Sequence, residues 1–190
     1  MDDYEFERNF WGDCCNTFSE DQKHFIYGNL MGLTGDKYQF AYNVHNKRIL
    51  DIGGGPTSML LKTDNLKEGK VCDPIEYPQW TKDRYSYKNI SVDVICGEDI
   101  NESGWDEVWM YNVLEHTIDP EMVVKRAMAA GKVFRIFEWI DIPPHEGHPH
   151  MITQEQLEKW IGQKGKTKVL NGENGCFGKC FYGVFNILNV

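Results

Sequence analysis

Two kinds of apolar pattern alternate along the chain. Short apolar or β-branched runs around Ile49-Leu50 and Ile52, Gly69 to Cys72, Ser91 to Cys96, Trp105 to Tyr111 and Lys132 to Ile140 read as five strands. Stretches of helical period lie before and between them. Thr17-x-x-Glu20 is a capping-box signature, and Phe18, Phe25, Ile26 and Leu30 follow at helical spacing, predicting a helix that ends near Gly32 or Gly35. Further helices are expected over 56–62, over 78–89 with Trp80 and Tyr85 for the core, and from Asp119-Pro120 to Ala130. Strands joined by helical crossovers form a parallel sheet. After the fifth strand, Thr153 and Gln156 open a helix through Trp160. Thr167 to Leu170 and Phe181 to Leu188 then stand as strands separated by a turn-rich segment with no helix, which fits an antiparallel pair. The fold expected is α/β: a seven-stranded, mostly parallel sheet with an antiparallel last strand and helices on both faces. Residues 1–46 are expected to be a helical extension or lid, and 47–190 the main domain.

Composition narrows the setting. With 41% hydrophobic and 26% charged residues, 190 residues suffice for a core without disulfides. No apolar run approaches the ~20 residues of a membrane helix, and the acidic start MDDYEFERNFW has no signal-peptide core. A cytoplasmic protein without a membrane partner is the expectation. A net charge of −9 argues against nucleic acid as partner, the lysines from Lys159 to Lys168 reading as solvated surface. The six cysteines, at 14, 15, 72, 96, 176 and 180, have no metal-ligand spacing, and Cys72 and Cys96, inside predicted strands, read as small buried hydrophobes.

The chemistry concentrates where the first strand ends. RILDIGGGPTS carries Asp51 at the strand tip, then Gly53, Gly54 and Gly55, a backbone free of side chains that would obstruct a ligand. A dinucleotide site wants a third glycine where Ser58 stands. An acid before the turn suits a ligand carrying an ammonium group better than a pyrophosphate. Asp73 follows Asp51 by 22 residues, near the ~20 at which a βαβ unit places an acid on ribose hydroxyls.

D-x-G-x-G-x-T, followed by YNVLEHTIDP after the fourth strand, resembles the class I S-adenosylmethionine (SAM) dependent methyltransferases of the small-molecule, type-11-like kind, over about residues 48–190. Thr57 departs from the glycine that many members carry. The resemblance implies a Rossmann-like sandwich, SAM as cofactor, S-adenosylhomocysteine (SAH) as product and a small-molecule acceptor. It implies cofactor contacts at Asp51, Gly53, Gly54, Gly55, Asp73 and Asn112, with Glu98 and Asp99 competing for the adenine amine. Trp11, Tyr27, Tyr38, Tyr42 and Tyr111 are the aromatic candidates for lining the acceptor pocket. A SAM- or SAH-binding regulatory protein without turnover is the alternative.

His145, Glu146, His148 and His150 crowd into six residues. A zinc helix motif spaces its histidines as H-E-x-x-H on one helix face, whereas H-E-G-H lies in a Pro/Gly loop. No metal site is therefore expected, and His148 or His150 is the candidate general base.

Overall fold

The structure, a computed structural model, describes residues 4–36 and 41–187. Tyr38 lies outside them. Two helices, α1 (Glu5–Trp11) and α2 (Phe18–Leu30), precede a two-residue strand β1 (Gly35–Asp36) and the first long strand β2 (Ala41–Ile52). There follow β3 (Thr63–Asp73), α3 (Gln79–Tyr87), β4 (Ile90–Val94), β5 (Trp105–Tyr111), α4 (Pro120–Ala130), β6 (Gly131–Trp139), α5 (Gln154–Ile161), β7 (Lys166–Asn171) and β8 (Phe177–Asn186). The sheet runs β4-β3-β2-β5-β6-β8-β7, with β1 paired to β2 outside that path. The pairs from β4 to β6 are parallel. β8 runs antiparallel to both β6 and β7, so the chain closes on the expected reversed hairpin.

Both faces of the sheet are covered. Leu50, Ile52, Val108, Met110, Phe134 and Ile136 project to one side, against Val123, Val124 and Ala127 of α4 and Leu157 and Ile161 of α5. Their neighbours Ile49, Val71, Trp109 and Phe137 project to the other, against Tyr27 and Met31 from the α2 region and Tyr85 of α3. That is the period-2 alternation of a sheet buried on both faces. Trp80, expected in the core, is 41% exposed because it lies on the outer side of α3.

β2 and β3 are longer than their apolar runs suggest. They continue outward as a polar ribbon pairing Tyr42 with Thr63, across register shifts between Asn43 and Arg48. His45 and Asn46 have positive φ there. The 46/47 boundary therefore falls inside β2. The crossover between β2 and β3 holds no α-helix, only two 3₁₀ turns, Gly55–Thr57 and Met59–Lys62. Ser58, at φ −51° and ψ 144°, is extended and divides them. The helix expected over 56–62 is thus absent.

The switch in strand order lies between β2 and β5. Both neighbours of β2 in that central region, β3 and β5, run parallel to it, so their carboxyl ends open a crevice at one edge of the sheet.

Candidate active site

At that crevice β2 turns sharply through Gly53 and Gly55, whose φ values of 70° and 61° are left-handed. A Cβ on Gly53 would stand 2.5 Å from Val113 Cγ2, so the position takes no side chain. With no helix to follow, the turn's amides are held by phenols. The Ser58 N–H donates to Tyr85 Oη at 2.8 Å, and that hydroxyl donates to the Gly55 carbonyl at 2.6 Å. The Met59 N–H donates to Tyr111 Oη at 2.8 Å, and Ser58 Oγ accepts from the Leu60 N–H at 3.0 Å. Each buried amide thereby finds the partner that a helix would have supplied.

Beneath this turn lie two buried carboxylates. Asp51 accepts from the Ser58 hydroxyl and from Tyr111 Oη, the latter at 2.7 Å, both on Oδ2, while Oδ1 is buried with no partner. Burial, only partly offset by the two hydroxyls, pushes its carboxyl up to about 7. Asp73 accepts from the Gly55 N–H on one oxygen, and from the Ile75 N–H and the Tyr77 hydroxyl on the other, each at 3.0 Å. Burial again dominates, and its carboxyl rises to about 6. Neither has a lysine or arginine partner among these contacts.

The opposite wall begins where β5 ends. Asn112 turns left-handed at φ 56°, and the next two amides, of Val113 and Leu114, donate to the buried Glu138 carboxylate of β6 at 3.1 to 3.3 Å. Glu138 thereby anchors the 3₁₀ turn Leu114–His116. That turn presents Glu115 and His116, and the loop after β6 brings His148 opposite them. Burial keeps the Glu115 carboxyl above its usual range. His148 is lowered to about 4, by burial first and then by its histidine neighbours His116 and His145. His116 is raised: burial works against its charge, but Glu7 and Glu115 outweigh it.

These walls enclose a cleft of about 440 Å³, within the size range of small-molecule sites. α1 lies along its rim, with Glu7 Oε1 2.9 Å from His116 Nδ1. Trp11 approaches the Gly55 position, and Phe6 meets His148 at 6.4 Å between ring centroids. On the far side the imidazole of His24, lowered to about 3 by burial and Lys62, borders the cleft as a neutral ring.

Of the sequence-derived candidates, Gly53, Gly54, Gly55, Asp73, Asn112, Trp11, Tyr111 and His148 line the cleft together. Asp51 does not, because the Ser58 and Tyr111 hydroxyls hold it beneath the turn. Neither Glu98 nor Asp99 lines it: Glu98 accepts from the Ile118 and Asp119 amides at the start of α4, and Asp99 is exposed. Tyr27 is a core residue stacked on Phe137 at 4.1 Å, and Tyr42 is buried with its hydroxyl donating to the His24 carbonyl. His150 places Nε2 2.8 Å from the Thr117 carbonyl, tying the loop to the turn after β5. Sequence reading missed Glu7, Glu115, Glu138 and Tyr85, whose roles depend on partners 24 or more residues away. YNVLEH held the one available signal, an acid and a histidine adjacent at the switch point.

No family model and no curated protein matches the chain. Solved structures do. A chain from the complex between the Haloferax volcanii Trm112 methyltransferase activator and the putative methyltransferase is similar at 13% identity, with a TM-score of 0.65 and 96% of each chain covered. Magnesium protoporphyrin IX methyltransferase from Synechocystis PCC 6803 with bound SAH is 12% identical, with a TM-score of 0.63 over 94% of this chain and 92% of that one. A SAM-dependent methyltransferase from Aquifex aeolicus is 15% identical, with a TM-score of 0.60 over 99% of this chain and all of that one. At such identities the likeness is one of fold: this chain has the class I methyltransferase fold.

Proposed function

We propose that the cleft above β2, β3 and β5 binds SAM and that the chain transfers its methyl group to a small-molecule acceptor. The observation that carries this reading is the pairing of the side-chain-free Gly53–Gly55 turn with the Asp73 carboxylate at the switch point of a methyltransferase fold. A carboxylate offers about four acceptor positions, and Asp73 uses three. One remains for a ribose hydroxyl, and Tyr77 can yield another. Asp51 places a partnerless acceptor and a titratable charge directly under Gly54, a polarity suited to a cationic ligand.

When bound, SAM supplies an electrophilic methyl on a sulfonium sulfur. The rest falls to the chain. Gly53–Gly55 let the backbone pass close under the ligand. Asn112 and Tyr111 border the place where the methyl would meet its acceptor. Trp11 and α1 exclude water from that meeting point, where positioning and desolvation lower the barrier. His148, at about 4, is too weak a base for neutral pH, and His150 is held by Thr117. A proton leaving the acceptor would pass to solvent at the cleft mouth.

Calorimetric titration with SAM, SAH and NAD, followed by a screen for SAH release against metabolite pools, tests the proposal. Saturable SAM and SAH binding with turnover on some pool is expected. Binding without turnover on any acceptor pool would favour the regulatory alternative, and preference for NAD would remove the reading.

A further inference from the structure

We propose that Glu115, His116 and His148 form a binding site for a divalent transition-metal ion on the wall of the cleft supplied by the turn after β5 and the loop after β6. Their donor atoms lie within 4.8 Å of one another, contributed by two segments that the fold brings together. His148 Nε2 is 3.3 Å and His116 Nε2 is 3.8 Å from Glu115 Oε1. Charge-assisted N–H···O bonds close to about 2.7–2.9 Å, so these groups converge without bonding tightly to one another. Metal–ligand bonds of about 2.0–2.2 Å put neighbouring donors of a tetrahedral site about 3.4 Å apart, and of an octahedral site about 3.0 Å. The 3.3 Å separation of His148 from Glu115 is that of neighbouring ligands around a tetrahedral ion, and the 3.8 Å of His116 is beyond hydrogen-bond length.

The surroundings are also those of a prepared site. Each ring is oriented through its other nitrogen: His116 Nδ1 lies 2.9 Å from Glu7 Oε1 and 3.0 Å from the Gly147 carbonyl, and His148 Nδ1 lies 3.2 Å from His145 Nδ1. Outer partners of this kind fix which nitrogen of a histidine faces the metal. Glu138 clamps the turn that carries Glu115 and His116. The reciprocal His145–His148 backbone bonds, at 3.0 and 2.9 Å, brace the other segment. Two imidazoles and one carboxylate suit zinc, or iron, cobalt and manganese, better than magnesium or calcium.

All three residues line the cleft, so an ion held by them keeps an open position facing it. Such an ion lowers the pKa of a bound hydroxyl. The matching acceptor class is a small molecule with a metal-binding hydroxyl: its proton goes to solvent, its oxygen forms the bond to the methyl carbon, and the C–S electron pair stays on sulfur to leave SAH. That extension rests on the methyl-transfer reading, whereas metal binding does not.

The test is titration of chelator-treated protein with Zn2+ by calorimetry and with Co2+ by visible absorption, in the absence of SAM. Cobalt on nitrogen and oxygen ligands gives d–d bands without the near-ultraviolet charge transfer of cysteine sulfur. We expect one equivalent bound without that transfer band. The His148→Ala variant should bind more weakly by at least the ~10–100-fold seen on losing even an outer-sphere partner. Because Glu115→Gln changes shape little, it provides a second variant should the first fold poorly. Unchanged affinity in both variants, thiolate-type spectra or no stoichiometric binding would overturn the site. SAH titrations of the same samples separate the two ideas: SAH bound without metal removes only the metal site, and metal bound without SAH removes only the cofactor site.

Discussion

Glu107 and Asp51 sit on adjacent strands of one sheet, with Glu107 in register with Ile49 two positions before Asp51, and the fold treats them oppositely. The Glu107 carboxylate lies between the Lys47 ammonium, at 2.5 Å, and the Arg135 guanidinium, at 2.7 Å, and also accepts from Trp109 Nε1. Burial alone would raise it, but these partners hold it down at about 2. Asp51 is equally buried, yet its partners are neutral hydroxyls and it sits at about 7. A protein that neutralises one buried acid with two cations, and leaves others without any at the carboxyl ends of the strands, is using them differently. The first is a structural joint. The second is an uncompensated acid beneath the glycine turn, and on the proposed function it favours a cationic ligand in the cleft above it.

The largest way to break this comparison is to strand Glu107. Arg135→Met removes the bidentate partner and leaves a buried carboxylate with Lys47 as its remaining cation and the Trp109 indole as its remaining neutral donor, which should cost about 3–5 kcal/mol in urea unfolding. A cost below about 1 kcal/mol would mean that the network contributes little.

Next comes pH. The folded-state value of Asp51, about 7, lies above its ordinary 3.8, so its contribution to stability is fully present below pH 3.8 and is lost as pH rises through about 7. At 1.36 kcal/mol per unit the loss is on the order of 4 kcal/mol. Asp73 acts in the same direction with a folded value of about 6. For Glu107 the sign reverses: its folded value lies below the ordinary 4.5, so its contribution is present above pH 4.5 and is lost as pH falls through about 2. Denaturation midpoints should therefore decline between about pH 4 and pH 7. The Asp51→Asn substitution should flatten that decline while leaving the acid limb in place.

A smaller effect tests the phenol clamp on the glycine turn. Tyr85→Phe leaves the Ser58 amide and the Gly55 carbonyl without their shared partner, and should cost about 1–3 kcal/mol of stability. SAH affinity should fall with it if the turn underlies the cofactor site. The smallest effect belongs to the surface pair Lys164–Glu158, where Lys164→Ala should leave the thermal midpoint nearly unchanged.

The same contrast explains what the sequence made legible. β5, α4 and the capped helix α5 could be read almost to the residue, because apolar period, Asp119-Pro120 and the Thr153–Gln156 capping box are local signals. The closing hairpin could be read from its lack of a helix. The turns at 55–62 could not, because a proline, an extended Ser58 and two distant phenols decide them. The outer halves of β2 and β3 carry mostly polar residues whose pairing is tertiary. Within the site, the glycines and Asp73 were legible because each stands at the carboxyl end of a strand in a parallel pair. Glu7, Glu138 and the meeting of Glu115 with His148 were not, since each depends on a partner far along the chain.

The central claim is that acids left without cations at the strand ends serve a cationic nucleoside. Equilibrium dialysis of labelled SAM against wild-type protein and Asp73→Ala, with folding verified by circular dichroism, addresses it most directly. The account predicts one saturable equivalent on the wild type and at least tenfold weaker binding on the variant. Equal retention of SAM by both proteins, or none by the wild type, would contradict it.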